Sequence, residues 1–177
     1  MLYYKKISSP LGEITLRSDG QFLTGLWFAN DKHYGDKDIQ DAQTAELPVF
    51  ALAEKWLAEY FAGCKPKVKV PLQFTGTDFQ KCVWKILQKI PYGSLITYGD
   101  IACEIAAQRG LARMSAQAVG GAVGRNPLCI IIPCHRVIGA DGSLTGYGGG
   151  MWRKVRLLEI EKADMSKLTV PTKGTAL

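Results

Sequence analysis

The chain has 177 residues, of which 47% are hydrophobic, so it is long enough for one large or two small domains with a buried core. No stretch approaches the roughly 18 apolar residues that span a bilayer, and the N-terminus MLYYKKISSP lacks the apolar segment of a signal peptide, so we expect a soluble cytoplasmic protein. The net charge is +6, and the excess of positive charge lies in the second half of the chain.

The first 30 residues predict an antiparallel β-meander. Short runs of β-prone residues are separated by Pro10-Leu11-Gly12 and by Asp19-Gly20, which are turn sequences typical of hairpins. The stretch 31–44 is polar, and we expect a loop there.

An amphipathic helix is predicted after Leu47-Pro48, in VFALAEKWLAEYFAG, with Gly63 placed to end it. The apolar residues expected to pack on the sheet are Phe50, Ala53, Trp56, Leu57 and Tyr60. The following run KPKVKVPLQFTGT alternates but contains two prolines, so it predicts an edge strand that leads into a linker.

Two domains and a tail are expected from these changes in pattern. The N-terminal domain should comprise residues 1–76, and the C-terminal domain residues 77–165. The polar stretch 166–177 is expected to be a mobile tail.

The C-terminal domain begins with predicted helices. Apolar residues recur at spacings of three and four from Phe79 to Ile90, with Asp78 as the expected N-cap and Pro91 as the stop. Thr97 is placed to cap a second helix, and a third helix, AQAVGGAVGR, follows Ser115.

The surface around the third helix is basic. Residues 108–125 contain Arg109, Arg113 and Arg125 but no acid, which is typical of a surface that faces phosphates, although an ordinary solvated basic face would have the same composition. Two helices joined by a turn, the second with small side chains, fit a DNA-binding helix-turn-helix. Simple packing of one helix on another is the alternative.

The five cysteines are odd in number and form no C-x-x-C pair, so they predict neither a disulfide framework nor a zinc ribbon. We expect free thiols. Burial as small apolar side chains is the favoured interpretation for four of them, Cys64, Cys82, Cys103 and Cys129.

Cys134 is different because it lies in Ile-Pro-Cys-His-Arg-Val, where proline, histidine and arginine make poor core neighbours. A thiolate is the nucleophilic form of cysteine, and His135 is a candidate base for generating it. Successive side chains of an extended strand point to opposite faces, so this role requires a turn at Pro133-Cys134.

The sequence NPLCIIIPCHRVIG, followed by GYGGG and KVRLLEIE, resembles the O6-alkylguanine-DNA alkyltransferases, also called methylated-DNA–protein-cysteine methyltransferases. The resemblance is strong over residues 79–161 and only general in the N-terminal part. It implies an α/β (α+β) fold: an N-terminal ribonuclease-H-like antiparallel sheet with a helix, and a mainly helical C-terminal domain with a helix-turn-helix.

The resemblance also implies roles for single residues. Cys134 occupies the alkyl-accepting position and His135 that of a base acting through water. Glu161 matches the glutamate that orients the histidine, with Glu159 as the competing assignment. Two further catalytic positions are implied: Asn126 as the hinge asparagine and Tyr98 as the tyrosine that helps rotate the target phosphate and donates a proton to guanine.

Substrate-binding and DNA-binding residues are predicted as well, the arginines from their charge and the pocket wall from the resemblance. The wall of the base pocket corresponds to Tyr147, Gly148, Gly149 and Gly150, together with Val137. The DNA-binding set is Arg109, Arg113, Ser115, Ala116, Gln117 and Arg125. Gln117 departs from the family pattern, because relatives commonly carry an arginine finger there.

The expected activity is single-turnover repair: the base is flipped out of double-stranded DNA, and the alkyl group of O6-alkylguanine, with O4-alkylthymine as a second candidate, passes irreversibly to Cys134. We expect a monomer without cofactor or metal, including structural zinc. A non-catalytic relative that binds alkylated DNA or regulates transcription is one alternative, although such members lack the acceptor cysteine. A Cys-His hydrolase is another, although no motif supplies an oxyanion site.

Overall fold

The structure is a computed structural model that describes residues 1–172, and the chain forms two compact units. The first unit comprises residues 1–75 together with Pro127–Cys129, and the second comprises residues 76–126 and the chain from Ile130 onward. Among the described residues, no helix combines the length and apolar character needed to cross a membrane.

The sheet of the first unit contains the predicted meander. Strands β1 (Tyr3–Ile7), β2 (Ile14–Ser18) and β3 (Leu23–Phe28) pair antiparallel, and the short β4 (Gln43–Thr44) runs parallel to β1, giving the order β3-β2-β1-β4. The turn before β3 requires a left-handed backbone at Gly20, with φ of 107°. The predicted meander is therefore confirmed.

Helix α1 (Pro48–Phe61) packs on β2 and β3, as its apolar stripe predicts. The buried side chains of this unit include Leu16, Leu26, Phe28, Phe50, Ala53, Leu57 and Tyr60. Trp56 is only half-buried and stacks on Tyr60, with 5.4 Å between ring centroids.

The predicted edge strand after α1 is reduced to a single bridge. Leu72 pairs with Leu23, and the flanking backbone hydrogen bonds join Leu23 to Pro71 and Gln73. The prolines explain the difference, because each removes a donor from the ladder. The segment 127–129 makes a similar bridge on the same strand, since the backbone of Leu26 bonds to Pro127 and Cys129.

The second unit is mainly helical. Its helices are α2 (Asp78–Leu87), α3 (Tyr98–Arg109), α4 (Ala116–Gly124) and α5 (Met151–Ile160). Two short strands, β5 (Ile96–Thr97) and β6 (Val137–Ile138), pair in parallel, and β6 directly follows a 3₁₀ turn at Cys134–Arg136.

Side-chain caps begin three of these helices. Thr97 caps α3 as predicted, and Ser115 caps α4; each accepts a hydrogen bond from a backbone N–H of the first turn. For α2 the predicted cap Asp78 is wrong: Thr77 is the cap and pairs reciprocally with Gln80. Helix α2 also ends one turn earlier than predicted, at Leu87 rather than near Ile90.

Helices α2, α3 and α4 pack together around Trp84. This side chain is almost fully buried, and its indole N–H donates to the Ala122 carbonyl of α4 at 2.9 Å. Trp84 therefore sets the position of α4 by both its volume and its hydrogen bond.

A smaller core lies under α5 and includes part of the predicted tail. It contains Ile138, Leu144, Met151 and Leu158, with Leu168 packed against them. The backbone of Thr169 exchanges hydrogen bonds with residues 142 and 144, at 3.0 and 2.9 Å. These contacts extend to Thr169, whereas a mobile tail was expected from residue 166 onward. The last part of that predicted tail, residues 173–177, lies outside the described residues.

Replacing Trp84 with Phe should destabilise the second unit. The change removes the donor to the Ala122 carbonyl and leaves space beside α4, which costs about 1–3 kcal/mol of unfolding free energy. Trp152→Phe is the matched control because Trp152 is 55% exposed. Urea unfolding should give a lower midpoint for Trp84→Phe alone; equal midpoints for the two variants would contradict the structural role of Trp84.

Candidate active site

The chain turns sharply just before Cys134. The Cys134 N–H donates to the Ile132 carbonyl at 2.8 Å around Pro133, whose φ of −82° and ψ of 66° define an inverse γ-turn. A 3₁₀ turn over Cys134–Arg136 follows directly. The required turn at Pro133-Cys134 is therefore present, and the alternation of an extended strand does not apply to Cys134 and His135.

A carboxylate from the end of α5 contacts the imidazole. The Nε2 of His135 lies 2.6 Å from Oε1 of Glu161, and both side chains are fully buried. Glu159, the competing residue, is exposed and pairs with Arg156 one turn away on the same helix. The structure thus brings Glu161, and not Glu159, to His135.

Arg136 is a further member of this cluster, which the sequence analysis did not identify. Its Nε and Nη2 donate to the two oxygens of Glu161 at 2.8 and 2.9 Å, and its Nη1 donates to the Ile90 carbonyl at 2.6 Å. The backbone N–H of Gly93 donates to Glu161 as well. Burial of His135 and Arg136 corrects the expectation that they would be poor core neighbours, because Glu161 satisfies both side chains.

These contacts decide the protonation of the cluster. Burial alone would raise the pKa of Glu161, but the hydrogen bonds from His135 and Arg136 outweigh it and hold the pKa well below its usual range. Burial lowers the pKa of His135, and the charges of Arg136 and Lys154 add to this, so the pKa falls although Glu161 acts to raise it. A neutral imidazole beside an ionised carboxylate must donate through Nε2–H, which makes Nδ1 its proton-accepting nitrogen.

Tyr98, the first residue of α3, points toward the same region. Its hydroxyl donates to the Thr145 carbonyl at 3.0 Å, and burial raises its pKa to about 12. Tyr98 is therefore a protonated hydrogen-bond donor at neutral pH. The Thr145 carbonyl also accepts from Lys154 at 2.8 Å, and Lys154 is a second buried charged residue that the sequence analysis missed.

The glycine-rich loop forms a turn at the N-terminus of α5. The Gly150 N–H donates to the Tyr147 carbonyl at 3.0 Å, and the Gly149 carbonyl accepts from Arg153 at 2.7 Å. Tyr147 and Gly149 are buried, as is Val137 at the start of β6. The loop is thus anchored to α5 through its own backbone.

Asn126 connects the end of α4 to the turn. It is almost fully buried, and its Nδ2 donates to the Ile132 carbonyl at 2.7 Å. Ile130, between them, has a left-handed backbone with φ of 68°, which costs a β-branched residue on the order of 1–3 kcal/mol. The Asn126 hydrogen bond helps to hold this unfavourable conformation.

The residues predicted to bind DNA lie apart from this cluster. Ser115 caps α4, and Ala116 and Gln117 are exposed in its first turn. Arg113 and Arg125 are exposed on either side of the helix in the sequence, and Arg109 stacks on Phe79 at the end of α3, with 5.5 Å from its guanidinium to the ring centroid. The structure therefore places this set around the two ends of α4 and the loop before it.

The other cysteines correct one prediction. All five are free thiols, as expected, but only Cys129 and Cys134 are buried. Burial was wrong for Cys64 and Cys103, which are exposed after the end of α1 and on α3, and Cys82 is only half-buried. Among residues 1–172, no group of three or more His, Cys, Asp or Glu side chains is arranged to hold a metal ion.

Comparison with known proteins covers almost the whole described chain. Residues 2–74 match the family model described as 6-O-methylguanine DNA methyltransferase, ribonuclease-like domain, and residues 78–163 match the DNA binding domain of the same description. A methylated-DNA–protein-cysteine methyltransferase of Mycobacterium tuberculosis is 45% identical over 92% of this chain and 94% of the relative. One of Haemophilus influenzae is 40% identical over 91% and 87%.

The three-dimensional structure is also similar to that of a solved protein. The crystal structure of Mycobacterium tuberculosis OGT in complex with DNA is 43% identical to this chain, with a TM-score of 0.79. The matched region spans 93% of this chain and 98% of the chain in that crystal structure. The predicted fold class is confirmed by this similarity and by the ribonuclease-like domain match.

Glu161→Gln should slow the reaction of Cys134 with electrophiles at neutral pH. A neutral amide cannot balance Arg136 or hold the imidazole as a carboxylate does, and loss of such an orienting partner lowers reactivity by about 10–100-fold. Glu159→Gln is the matched control and should react like the unchanged protein. Site-resolved mass spectrometry of iodoacetamide labelling measures both, and a larger effect of Glu159→Gln would assign the role to Glu159 instead.

Proposed function

Because the chain belongs to the 6-O-methylguanine DNA methyltransferase family and repairs DNA by alkyl transfer to a cysteine, we propose that Cys134 is the acceptor. The observation that carries the proposal is the buried contact between His135 and Glu161, directly beside Cys134 in the same turn. No other cysteine in the described chain adjoins a histidine in the sequence.

The chemical roles follow from the charges of the cluster. The thiol proton passes to a water that Nδ1 of His135 deprotonates, while Glu161 stabilises the resulting imidazolium. The Cys134 sulfur then attacks the alkyl carbon: the S–C bond forms, the C–O6 bond breaks, and its electron pair goes to the guanine. Tyr98 supplies a proton to the guanine anion and regains one from the imidazolium through solvent.

The product explains why each molecule acts once. Cys134 ends as a thioether, whose C–S bond is not hydrolysed by a neutral imidazole and water. The balanced reaction consumes one alkylated base and one thiol and requires no cofactor.

Double-stranded DNA containing O6-alkylguanine is the proposed partner, with O4-alkylthymine as a second candidate and a cytoplasmic monomer as the acting form. The alkyl carbon is hidden in the base stack, so the base must rotate out, which costs a few kcal/mol. Helices α3 and α4 form the proposed helix-turn-helix, and the small residues of α4 allow a close approach to the groove.

Gln117 is proposed to fill the gap left by the rotated base. It is exposed in the first turn of α4, and its amide offers one acceptor and two donors to the orphaned cytosine. Arg113 and Arg125, also exposed, and Arg109 at the end of α3 are proposed to contact phosphates, because they carry the positive charge that glutamine lacks.

Cys134→Ser should abolish transfer and spare DNA binding, since a hydroxyl has far too high a pKa to form enough anion. After mixing with duplex DNA containing O6-methylguanine, intact-mass spectrometry should find one added methyl group on the unchanged protein and none on the variant. Cys129→Ser, the other buried cysteine, should still accept the methyl group. A methyl group on Cys134→Ser would refute the assignment, and DNA binding without transfer by the unchanged protein would indicate a non-catalytic relative.

Gln117→Ala should slow repair of duplex DNA by about 10-fold or more, in keeping with the 1–3 kcal/mol lost with a base contact, and hardly alter the reaction with free O6-benzylguanine, which needs no base rotation. Arg113→Ala and Arg125→Ala should instead weaken binding to any DNA and reduce its salt dependence by about one phosphate contact each. Single-turnover rates on the two substrates separate these effects. Equal slowing on both substrates by Gln117→Ala would remove it from the role of finger.

A further inference from the structure

The buried charges of the described chain form a single group, and it is not neutral. Within residues 1–172, the buried side chains with a formal charge are Arg136, Lys154 and Glu161, all of which belong to the second unit. His135 is a further buried titratable side chain of that unit, and burial lowers its pKa, which favours the neutral ring. Two cations therefore accompany one anion.

Arg136 already balances the carboxylate of Glu161. It contacts both oxygens, so the pair has the bidentate geometry in which an arginine and a carboxylate neutralise each other. The positive charge in excess is therefore that of Lys154.

The hydrogen-bond acceptors of Lys154 are uncharged backbone carbonyls. Its Nζ donates to the Val137 carbonyl at 2.6 Å and to the Thr145 carbonyl at 2.8 Å, and its side chain is fully buried. Among the described residues no carboxylate forms an ion pair with it. A buried ammonium held by carbonyls alone is costly, and a nearby anion would reduce this cost.

The group able to supply that anion is the Cys134 thiol. Burial lowers the pKa of Lys154 to about 8, and interaction with Cys134 acts in the opposite direction. The carbonyl of Val137, which Lys154 contacts, lies three residues after Cys134 at the end of the same turn. Lys154 of α5 thus binds the end of the turn that carries Cys134, and its charge interacts with the thiol.

We propose that the Lys154 ammonium is the counter-ion of the Cys134 thiolate, so that the buried charges balance when Cys134 is ionised and His135 is neutral, with the thiol proton lost to solvent. This inference rests on the proposed role of Cys134 as acceptor. Lys154 exchanges no proton and forms no bond with substrate. It acts as a positioning and charge-balancing residue, which stabilises the thiolate and releases it for attack when the S–C bond forms.

A second consequence comes from the shared acceptor. The Thr145 carbonyl accepts from both Lys154 and the Tyr98 hydroxyl. When Tyr98 turns to a substrate, the carbonyl keeps its bond to Lys154 and is not left unsatisfied. Lys154 would therefore affect DNA repair through Tyr98 as well as through Cys134, so a test of the counter-ion role must avoid Tyr98.

Iodoacetamide meets this condition because its reaction needs only the thiolate. The rate of labelling at Cys134, measured by mass spectrometry as a function of pH, gives the midpoint of thiol ionisation. Besides Lys154, Tyr98 of α3 interacts electrostatically with Cys134; the other charged or titratable groups of its turn are His135 and Arg136, which both contact Glu161 at the end of α5. Because Lys154 and Cys134 interact, the midpoint belongs to the pair.

Lys154→Met should raise this midpoint by about 1–3 pH units, since it removes an opposite charge, and should lower the rate at neutral pH by about 10-fold per unit. The rate at the alkaline plateau should not change. Lys154→Arg retains the charge and should stay near the original midpoint. Lys85→Met, which removes an exposed lysine from α2, is the control and should have no effect.

Methionine fills a similar volume without a buried charge, so Lys154→Met is expected to fold, and Lys154→Gln provides a second neutral variant. An unchanged midpoint in the neutral variants, or an equal shift in Lys154→Arg, would overturn the counter-ion role. A lower plateau with the original midpoint would reveal a purely structural role and would overturn it too. Methyl transfer to Cys134 of the unchanged protein, assayed in parallel, separates failure of this inference from failure of the proposed acceptor.

Discussion

The arrangement of the second unit depends on the buried carboxylate of Glu161. Its oxygens accept hydrogen bonds from the His135 ring, from two nitrogens of Arg136 and from the backbone N–H of Gly93. These donors come from the 3₁₀ turn and from the loop after α2, while Glu161 itself follows α5. An unpaired carboxylate at this depth would be strongly destabilising, so the three segments are held together by the need to satisfy it.

Burial gives this cluster its chemical properties as well as its rigidity. The hydrogen bonds from His135 and Arg136 keep Glu161 ionised, whereas burial keeps His135 neutral despite its contact with Glu161, so the ring has a defined tautomer with one nitrogen committed to Glu161. A histidine in water would be partly protonated near neutral pH and would be a poorer base. The proposed acceptor thus lies next to its proposed base, a histidine whose protonation state is set before any substrate arrives.

The residues proposed for DNA recognition and for alkyl transfer occupy different parts of the second unit but share a backbone connection. The exposed first turn of α4 carries Gln117, and the opposite end leads through Asn126 to the Ile132 carbonyl and then to Cys134. Trp84 anchors α4 from the buried side. A helix held in this way can contact DNA without displacing the thiol from its base, which suits a reaction that requires accurate positioning.

The sequence by itself determined the features that depend on local pattern. Alternation and turn residues predicted the meander, helical spacing predicted α1, and Thr97 was identifiable as a cap because a cap bonds within its own first turn. The motif around Cys134 identified the family. Tertiary structure alone decided between Glu159 and Glu161, because only the fold brings residues 25 or 26 positions apart into contact. It also placed Arg136 and Lys154 in the interior, although Lys154 shares the helical spacing of the buried Met151, Leu157 and Leu158. A lysine on an apolar face is a signal that sequence can give, but its acceptors, the carbonyls of Val137 and Thr145, lie in segments that approach α5 only after folding.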